Sequence, residues 1–350
     1  MAEEEFIPSA DADSDISVTS AQTLEQLESL GCAYRDNAKV RIIVDSCGDF
    51  DPEVVKVLGI DVLPFTYVID GVEYADDLWQ SMSPHEFYEQ MREGKQATTV
   101  AVTPGRYYEY FKQFAEEGTP AIYLGLTRGL SSSIDYAVAA ASVVRQNYPG
   151  YEIYAIDTLC PSATTELLTI ETVRQAAKGL SINEVVAFVE EARYHIQGYF
   201  TLESLDSLAR GGRIPSALAQ ATSLLDVKPD LSYDLKGALT LRRIYRGRHK
   251  ALRGLVADFE ANYVGPEEGE ESKPIVLVSS DSTKDLSWLA AEVRKEPGCE
   301  NVPMLFSSVS PVIGSHVGPG MVGVGFWAQD RREPNTVVDR VVRGVRNWKS

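Results

Sequence analysis

Three stretches of this 350-residue chain combine residue types and spacings that could do chemistry. In Leu130-Ser131-Ser132-Ser133, three hydroxyls follow an apolar run and open a helical pattern. Free backbone N–H groups at a helix start favour an anion, and a hydroxyl adds a donor. The same serines also read as ordinary helix caps. In Gly314-Ser315-His316-Val317-Gly318-Pro319-Gly320, a histidine sits in a glycine-rich loop, where backbone approaches a neighbour closely. Its imidazole can donate to a carboxylate, act as a base, or simply occupy a turn. Arg210-Gly211-Gly212-Arg213 is a second glycine turn, flanked by bases. Arg242, Arg243, Arg246, Arg248, Lys250 and Arg253 then follow with no acid among them. That concentration suits nucleic acid, phosphate or an acidic protein partner, or makes a solvated helix face. No nucleic-acid recognition motif accompanies it, which argues against the first.

Ser131 or Ser46, with His316 and an acid such as Asp45 or Asp157, would supply the parts of a hydrolase. The chain has no GxSxG elbow, which weighs against that reading. It has no GxxxxGKS or GxxxxGKT loop, so no ATP site of that class is expected. Gly318–Gly323 matches GxGxxG but leads into the strand-like run MVGVGFW rather than a helix, so no dinucleotide cofactor is expected. His85, His195, His249 and His316 make no HExxH or paired spacing, so no metal site is expected either.

The elements that must position these residues read as alternating strand and helix. Val40–Val44 is a short β-branched run, ending at Asp45-Ser46-Cys47-Gly48-Asp49. Asp51-Pro52 looks like a helix start, and Ser83-Pro84-His85-Glu86 another. Ile60–Val68, Pro120–Leu126 and Tyr151–Ile156 read as strands, with a helix over Pro104–Glu116 and one from Ser131 through Gln146. This alternation predicts a parallel α/β sheet, with sites just beyond the carboxyl ends of its strands. Ser46, Ser131 and Asp157 fall at such ends. After the capping box Ser181–Glu184 the pattern changes to an α+β one, with strands at Phe200-Thr201, Ala238–Ile244, Ile275–Val278, Val302–Phe306 and Met321–Phe326. The domain reading is therefore an acidic, mostly disordered tail over 1–38, an α/β domain over 39–195, an α+β domain over 196–330, and a C-terminal amphipathic helix over 331–350. Val337, Val338, Val341, Val342, Val345 and Trp348 make one stripe of that helix, expected to dock on the body.

Charge and composition narrow the function. Fifty-one acids against 33 bases leave a net charge of −18, a poor match to nucleic acid or an anionic membrane. Residues 1–36 alone hold nine acids and one base. No apolar run approaches the roughly 18–20 residues of a membrane span, and the acidic start lacks a secretory signal. Cys32, Cys47, Cys160 and Cys299 are scattered with no CxxC pair, which fits a reducing, cytoplasmic setting.

In order and spacing, the segments VDSCGDFDPEVVKVLGIDVLPFTYVIDGVEYADD, ATTVAVTP, LSSSIDYA, SLDSLARGGRIPSAL, LLDVKPDLSYDLKGAL, RGRHKA and VIGSHVGPGMVGVGFW resemble the DegV family of bacterial fatty-acid-binding proteins. The resemblance spans roughly residues 40–328. It implies a two-domain α/β fold, with a Rossmann-like parallel-sheet N-terminal domain and an α+β C-terminal domain. It also implies a carrier, not an enzyme, holding one long-chain fatty acid in an interdomain tunnel. A separate ATP-dependent fatty acid kinase would phosphorylate the carboxylate, and only transient membrane contact would be needed. Of the family's head-group residues, the threonine matches Thr99, the serine Ser131 and the loop histidine His316. Ser46, Ser132, Gly314 and Gly318 are further candidates around them. Arg213 and Arg246 match the arginines that the resemblance assigns to the kinase side. The chain departs from the family pattern at Val100, at Thr127-Arg128, and at Ser132 and Ser133. A serine-dependent lipid hydrolase and a lipid-sensing regulator without phosphoryl transfer are the alternatives. The expected cofactor is none, the fatty acid being a ligand.

Overall fold

The computed structural model describes residues 18–214, 227–266 and 272–333. The N-terminal unit contains β1 (Arg41–Asp45), β2 (Asp61–Leu63), β3 (Thr66–Ile69), β4 (Val72–Ala75), β5 (Ala97–Val100), β6 (Ala121–Gly125) and β7 (Ile153–Asp157). A four-stranded parallel sheet runs β2-β1-β6-β7, with Ile43 opposite Tyr123 and Leu124 opposite Ile156. Its central strands are buried on both faces, as the continuous apolar run at β1 predicts. β4-β3-β5 form a small antiparallel sheet in which Tyr67 faces Thr99. The sequence reads Ile60–Val68 as one strand; the structure divides it. Pro64 has no N–H to give to a ladder, and the chain leaves the parallel sheet after Leu63 to join the antiparallel one at Thr66.

The C-terminal unit contains β8 (Ile196–Thr201), β9 (Val227–Tyr233), β10 (Leu239–Arg246), β11 (Ile275–Ser279), β12 (Met304–Ser308) and β13 (Val322–Trp327). They form one sheet in the order β10-β9-β8-β13-β11-β12, antiparallel except for the β11–β12 pair. The α/β class, with a parallel sheet followed by an α+β unit, is what the strand and helix alternation predicts.

Three helix starts match the sequence pattern. Asp51 accepts from Glu53 N–H ahead of Pro52. Ser83 accepts from Glu86 N–H, and Ser181 and Glu184 complete a capping box. The reading of 1–38 as a tail needs correction, because Ala21–Asn37 is a helix capped by Ser20. It buries Thr23, Leu27, Gly31 and Tyr34 on one side. A Cβ at Gly31 would lie 1.8 Å from the Val57 carbonyl, so only glycine permits this packing. Tyr34 Oη donates to the Val40 carbonyl and accepts from Ile42 N–H, stitching the helix to β1. Leu24, Leu27 and Leu30 suggest only a short helix by their spacing, because the other buried positions include a threonine and a glycine. Residues 1–17 and the predicted helix after Asn335 lie outside the described residues.

The helix Ala163–Ala177 has no counterpart in the sequence reading. Its residues 163–173 are all buried, packed against β1 on one side and β8, β11 and β13 on the other. A helix covered all round carries no amphipathic period to detect. Its Glu166 is fully buried, accepting from Ser307 Oγ at 3.1 Å.

Candidate functional site

Between the two units lies a cavity of about 180 Å³. Its apolar wall is drawn from both: Phe65, Leu126 and Leu130 from the first, Phe200, Tyr233, Leu239 and Met321 from the second. Apolar cavities of roughly 150 Å³ already admit a benzene ring, so this one has room for a group of that size. Thr99, Ser131, Ser133, Arg213 and His316 bring polar atoms to the same wall.

Each polar residue is placed by a short element. Thr99 is the third residue of β5. Ser131 follows β6 and precedes the helix Ser133–Asn147, as expected for a site beyond a parallel strand. Ser131 Oγ donates to Ser133 Oγ at 3.0 Å and accepts from Ser133 N–H at 3.2 Å, so it caps the helix from one residue further out than usual. Ser132 holds the cap position without using its side chain.

His316 is in the last turn of the helix Pro311–Val317, not in a loop. Ser310 caps that helix, Pro311 opens it, and Gly318 closes it with a positive φ of 75°. Glycine and proline therefore punctuate a helix here, which the glycine content disguises. Thr99 Oγ1 and His316 Nε2 are 3.0 Å apart. His316 Nδ1 is buried without a hydrogen-bond partner. A Cβ at Gly211 would lie 2.3 Å from it, so a bare glycine backbone makes room for the ring. Burial first, and then the neighbouring Arg213 charge, lower the His316 pKa to about 4. The imidazole is thus neutral at physiological pH, and Arg213 carries the fixed positive charge of the site. Arg213 donates from Nε to the Leu130 carbonyl (3.2 Å) and from Nη1 to the Gly211 carbonyl (2.6 Å).

The structure thus brings Thr99, Ser131 and His316 to one wall. It adds Arg213, which the resemblance puts on the partner side. The other candidates stand elsewhere. Ser46 is fully buried outside the cavity lining and accepts from Phe65 N–H. Gly314 faces Tyr88, whose hydroxyl a Cβ would meet at 2.4 Å, and Gly318 caps a helix beside Ser207. Arg246 lies exposed at the end of β10. The basic stretch is partly neutralised: Arg242 and Arg243 pair with Asp258, Arg243 also with Asp230, and Arg248 with Asp285. Arg128 pairs with Asp135 and Asp157.

A second polar group lies behind the cavity wall. Asp45 accepts from Tyr123 Oη, Leu126 N–H and Cys47 N–H, and burial raises its pKa to about 6. Asp49, also buried, is raised to about 7 by the same cause. Burial holds the Asp76 and Glu166 carboxyls well above the usual range too. Far from both groups in sequence, Glu191, His195 and Asp330 gather at the surface, where Arg332 already pairs with both acids.

The sequence model of the DegV family, described as "Uncharacterised protein, DegV family", matches residues 39–329. A DegV domain-containing protein of Clostridium perfringens is 33% identical over 296 residues, covering 85% of this chain and 99% of that one. Among solved structures, a fatty-acid-binding DegV family protein of Thermus thermophilus superposes with a TM-score of 0.71 at 26% identity, over 83% of this chain and 99% of that one. A Thermotoga maritima protein, described as revealing fatty acid binding function, gives 0.70 at 25%, with the same coverage. The order of motifs, the paired sheets and these matches agree: this chain belongs to the DegV family.

Proposed function

We propose that the chain binds one long-chain fatty acid in the cavity between its units and presents the carboxylate to an ATP-dependent fatty acid kinase for acyl-phosphate formation. The observation that carries this is an apolar cavity where, among the described residues that line it, Arg213 alone carries a fixed charge, beside Thr99, Ser131 and His316. Burying an alkyl chain contributes about 0.8 kcal/mol per methylene, on the order of 10 kcal/mol for a long acid before association costs. A carboxylate taken out of water needs donors, because leaving it unpaired costs several kcal/mol. Two hydroxyls, an imidazole and a guanidinium are suited to supply them. The solved relatives described as fatty-acid-binding support the ligand class. Four free cysteines support a reducing, cytoplasmic setting, and no helix among the described residues is long and apolar enough to cross a membrane.

The hydrolase alternative fits the geometry less well. His316 Nε2 faces Thr99 rather than Ser131, and no acid bonds its Nδ1. Asp45 is engaged by Tyr123 and two backbone N–H groups, and Asp157 by Arg128. Native mass spectrometry of the purified protein, with extraction of bound lipid, tests the ligand: an acyl chain in one-to-one ratio is expected. No bound acid and no response in a fluorescent fatty-acid titration would overturn the reading. Trapping an acyl hydroxamate after incubation with ATP and a fatty acid kinase tests the second half, and turnover of esters by the chain alone would favour the hydrolase.

A further inference from the structure

The helix that carries His316 belongs by sequence to the C-terminal unit, yet side chains of the N-terminal unit hold its start. Trp79 Nε1 donates to the Ser308 carbonyl (3.4 Å), and Tyr88 Oη to the Val309 carbonyl (2.5 Å). Ser310 N–H donates to Asp49 Oδ1 at 2.8 Å. Three consecutive backbone positions are thus gripped by side chains of the other unit, immediately before Pro311. Gly314, on the next turn, lets the helix lie directly against Tyr88. The C-terminal unit holds the same start through Val309 N–H, which donates to the Ser279 carbonyl at 2.9 Å, and holds the far end, where Ser280 Oγ donates to the Gly318 carbonyl.

Asp49 does more than accept from Ser310. Its Oδ2 accepts from Ser162 Oγ at 2.5 Å, and Ser162 lines the cavity. Asp49 and Ser162 both adopt positive φ, 55° and 59°, a conformation that non-glycine residues rarely take. One carboxylate therefore ties the turn after β1, the start of the central helix and the start of the His316 helix.

We propose that Asp49 is a positioning residue for His316, fixing the imidazole against Thr99 through Ser310 and Ser162 without touching the ligand. This deepens the fatty-acid reading and rests on it for the affinity measurement alone. Asp49→Ala removes both bonds. Asp49→Asn keeps an acceptor for Ser310 N–H and can donate to Ser162 Oγ, so it preserves the geometry without the charge.

The test follows the His316 ring by NMR in ligand-free protein and, separately, titrates a fluorescent long-chain fatty acid. Asp49→Ala is expected to shift the His316 ring resonances and weaken binding about tenfold. Asp49→Asn is expected to restore the resonances and bring affinity to within about twofold of wild type. A merely structural role would not produce that rescue. His316 resonances in Asp49→Ala that superpose on wild type would overturn the proposal, as would equal weakening by both variants. Should Asp49→Ala not fold, Ser162→Ala removes one of the two Asp49 bonds with little change in volume. It is expected to move the same resonances by less, and no movement overturns the proposal too. If wild type binds no fatty acid, the functional reading falls while the NMR comparison still decides the positioning role.

Discussion

Two polar groups flank the same apolar cavity, and they are opposite in character. At one, Arg213 supplies a fixed positive charge, His316 is held neutral, and Thr99 and Ser131 offer hydroxyls. At the other, behind Ser162, the buried carboxyls of Asp45, Asp49, Asp76 and Glu166 have their pKa values raised by burial. The first brings its polar atoms to the cavity surface, whereas the second spends the carboxyls of Asp45, Asp49 and Glu166 on the protein's own N–H and hydroxyl groups. The contrast also separates two uses of polarity, one lining the cavity and one bracing its wall.

The largest expected effect separates the two groups by pH. Asp49 has a folded pKa of about 7, above its unfolded value. Its contribution to stability is therefore complete below about pH 4 and is lost as pH rises through about 7. His316 works the other way. Its folded pKa of about 4 lies below the unfolded one, so stability is lost as pH falls from about 6.5 toward 4. Denaturant unfolding of wild type and Asp49→Asn at pH 5 and 7.5 should show the variant less dependent on pH, by on the order of a few kcal/mol. Parallel curves would dissolve the distinction between the two groups.

Next come the cavity-lining hydroxyl and imidazole. Ser131→Ala and His316→Ala should each weaken fatty-acid binding by about 1.5–3 kcal/mol, roughly ten- to hundredfold, with the fold intact by circular dichroism. Unchanged affinity in both would remove the head-group assignment. The two arginines mark the boundary of the site. Arg213→Ala should weaken binding about tenfold, because a charge at the cavity wall is lost. Arg246→Ala should leave affinity within about twofold and slow phosphorylation by the kinase, more so at low salt. Equal effects of the two on lipid titration would erase the line between cavity and partner surface. The smallest effect is an expected constancy. His316 ring signals in ligand-free protein should not titrate between pH 8 and 5.5, since the imidazole stays neutral until about pH 4. A midpoint near 6.5 would show that burial and Arg213 do not govern this ring.

Local chemistry is legible in the amino-acid order. Asp51-Pro52, Ser83 and the Ser181–Glu184 box each satisfy N–H groups two or three residues away. The apolar runs Ile42–Val44 of β1 and Ala121–Leu124 of β6 betray strands buried on both faces. Thr99, Ser131 and His316 emerge as a set only through resemblance, since 32 and 185 residues separate them along the chain. Their own spacing carries no signal of a shared wall. Of the helix Ala21–Asn37, Leu24, Leu27 and Leu30 suggest only a short piece, because Gly31 and Thr23 pack where further large apolar residues would be sought.

What depends on neighbours within a few positions is therefore written in the chain itself: caps, strand runs, the alternation that sets the α/β class, and a net charge that disfavours polyanions. Packing between distant segments settles the rest. It puts Arg213 at the cavity and keeps Ser46 away from it. It turns the glycine-rich His316 segment into a helix gripped by Trp79, Tyr88 and Asp49. It also buries Ala163–Ala177 between two sheets. The cause is range: hydrogen bonds within one turn are encoded by adjacent residues, whereas a cavity wall and its supports are built from long-range contacts that no local pattern specifies.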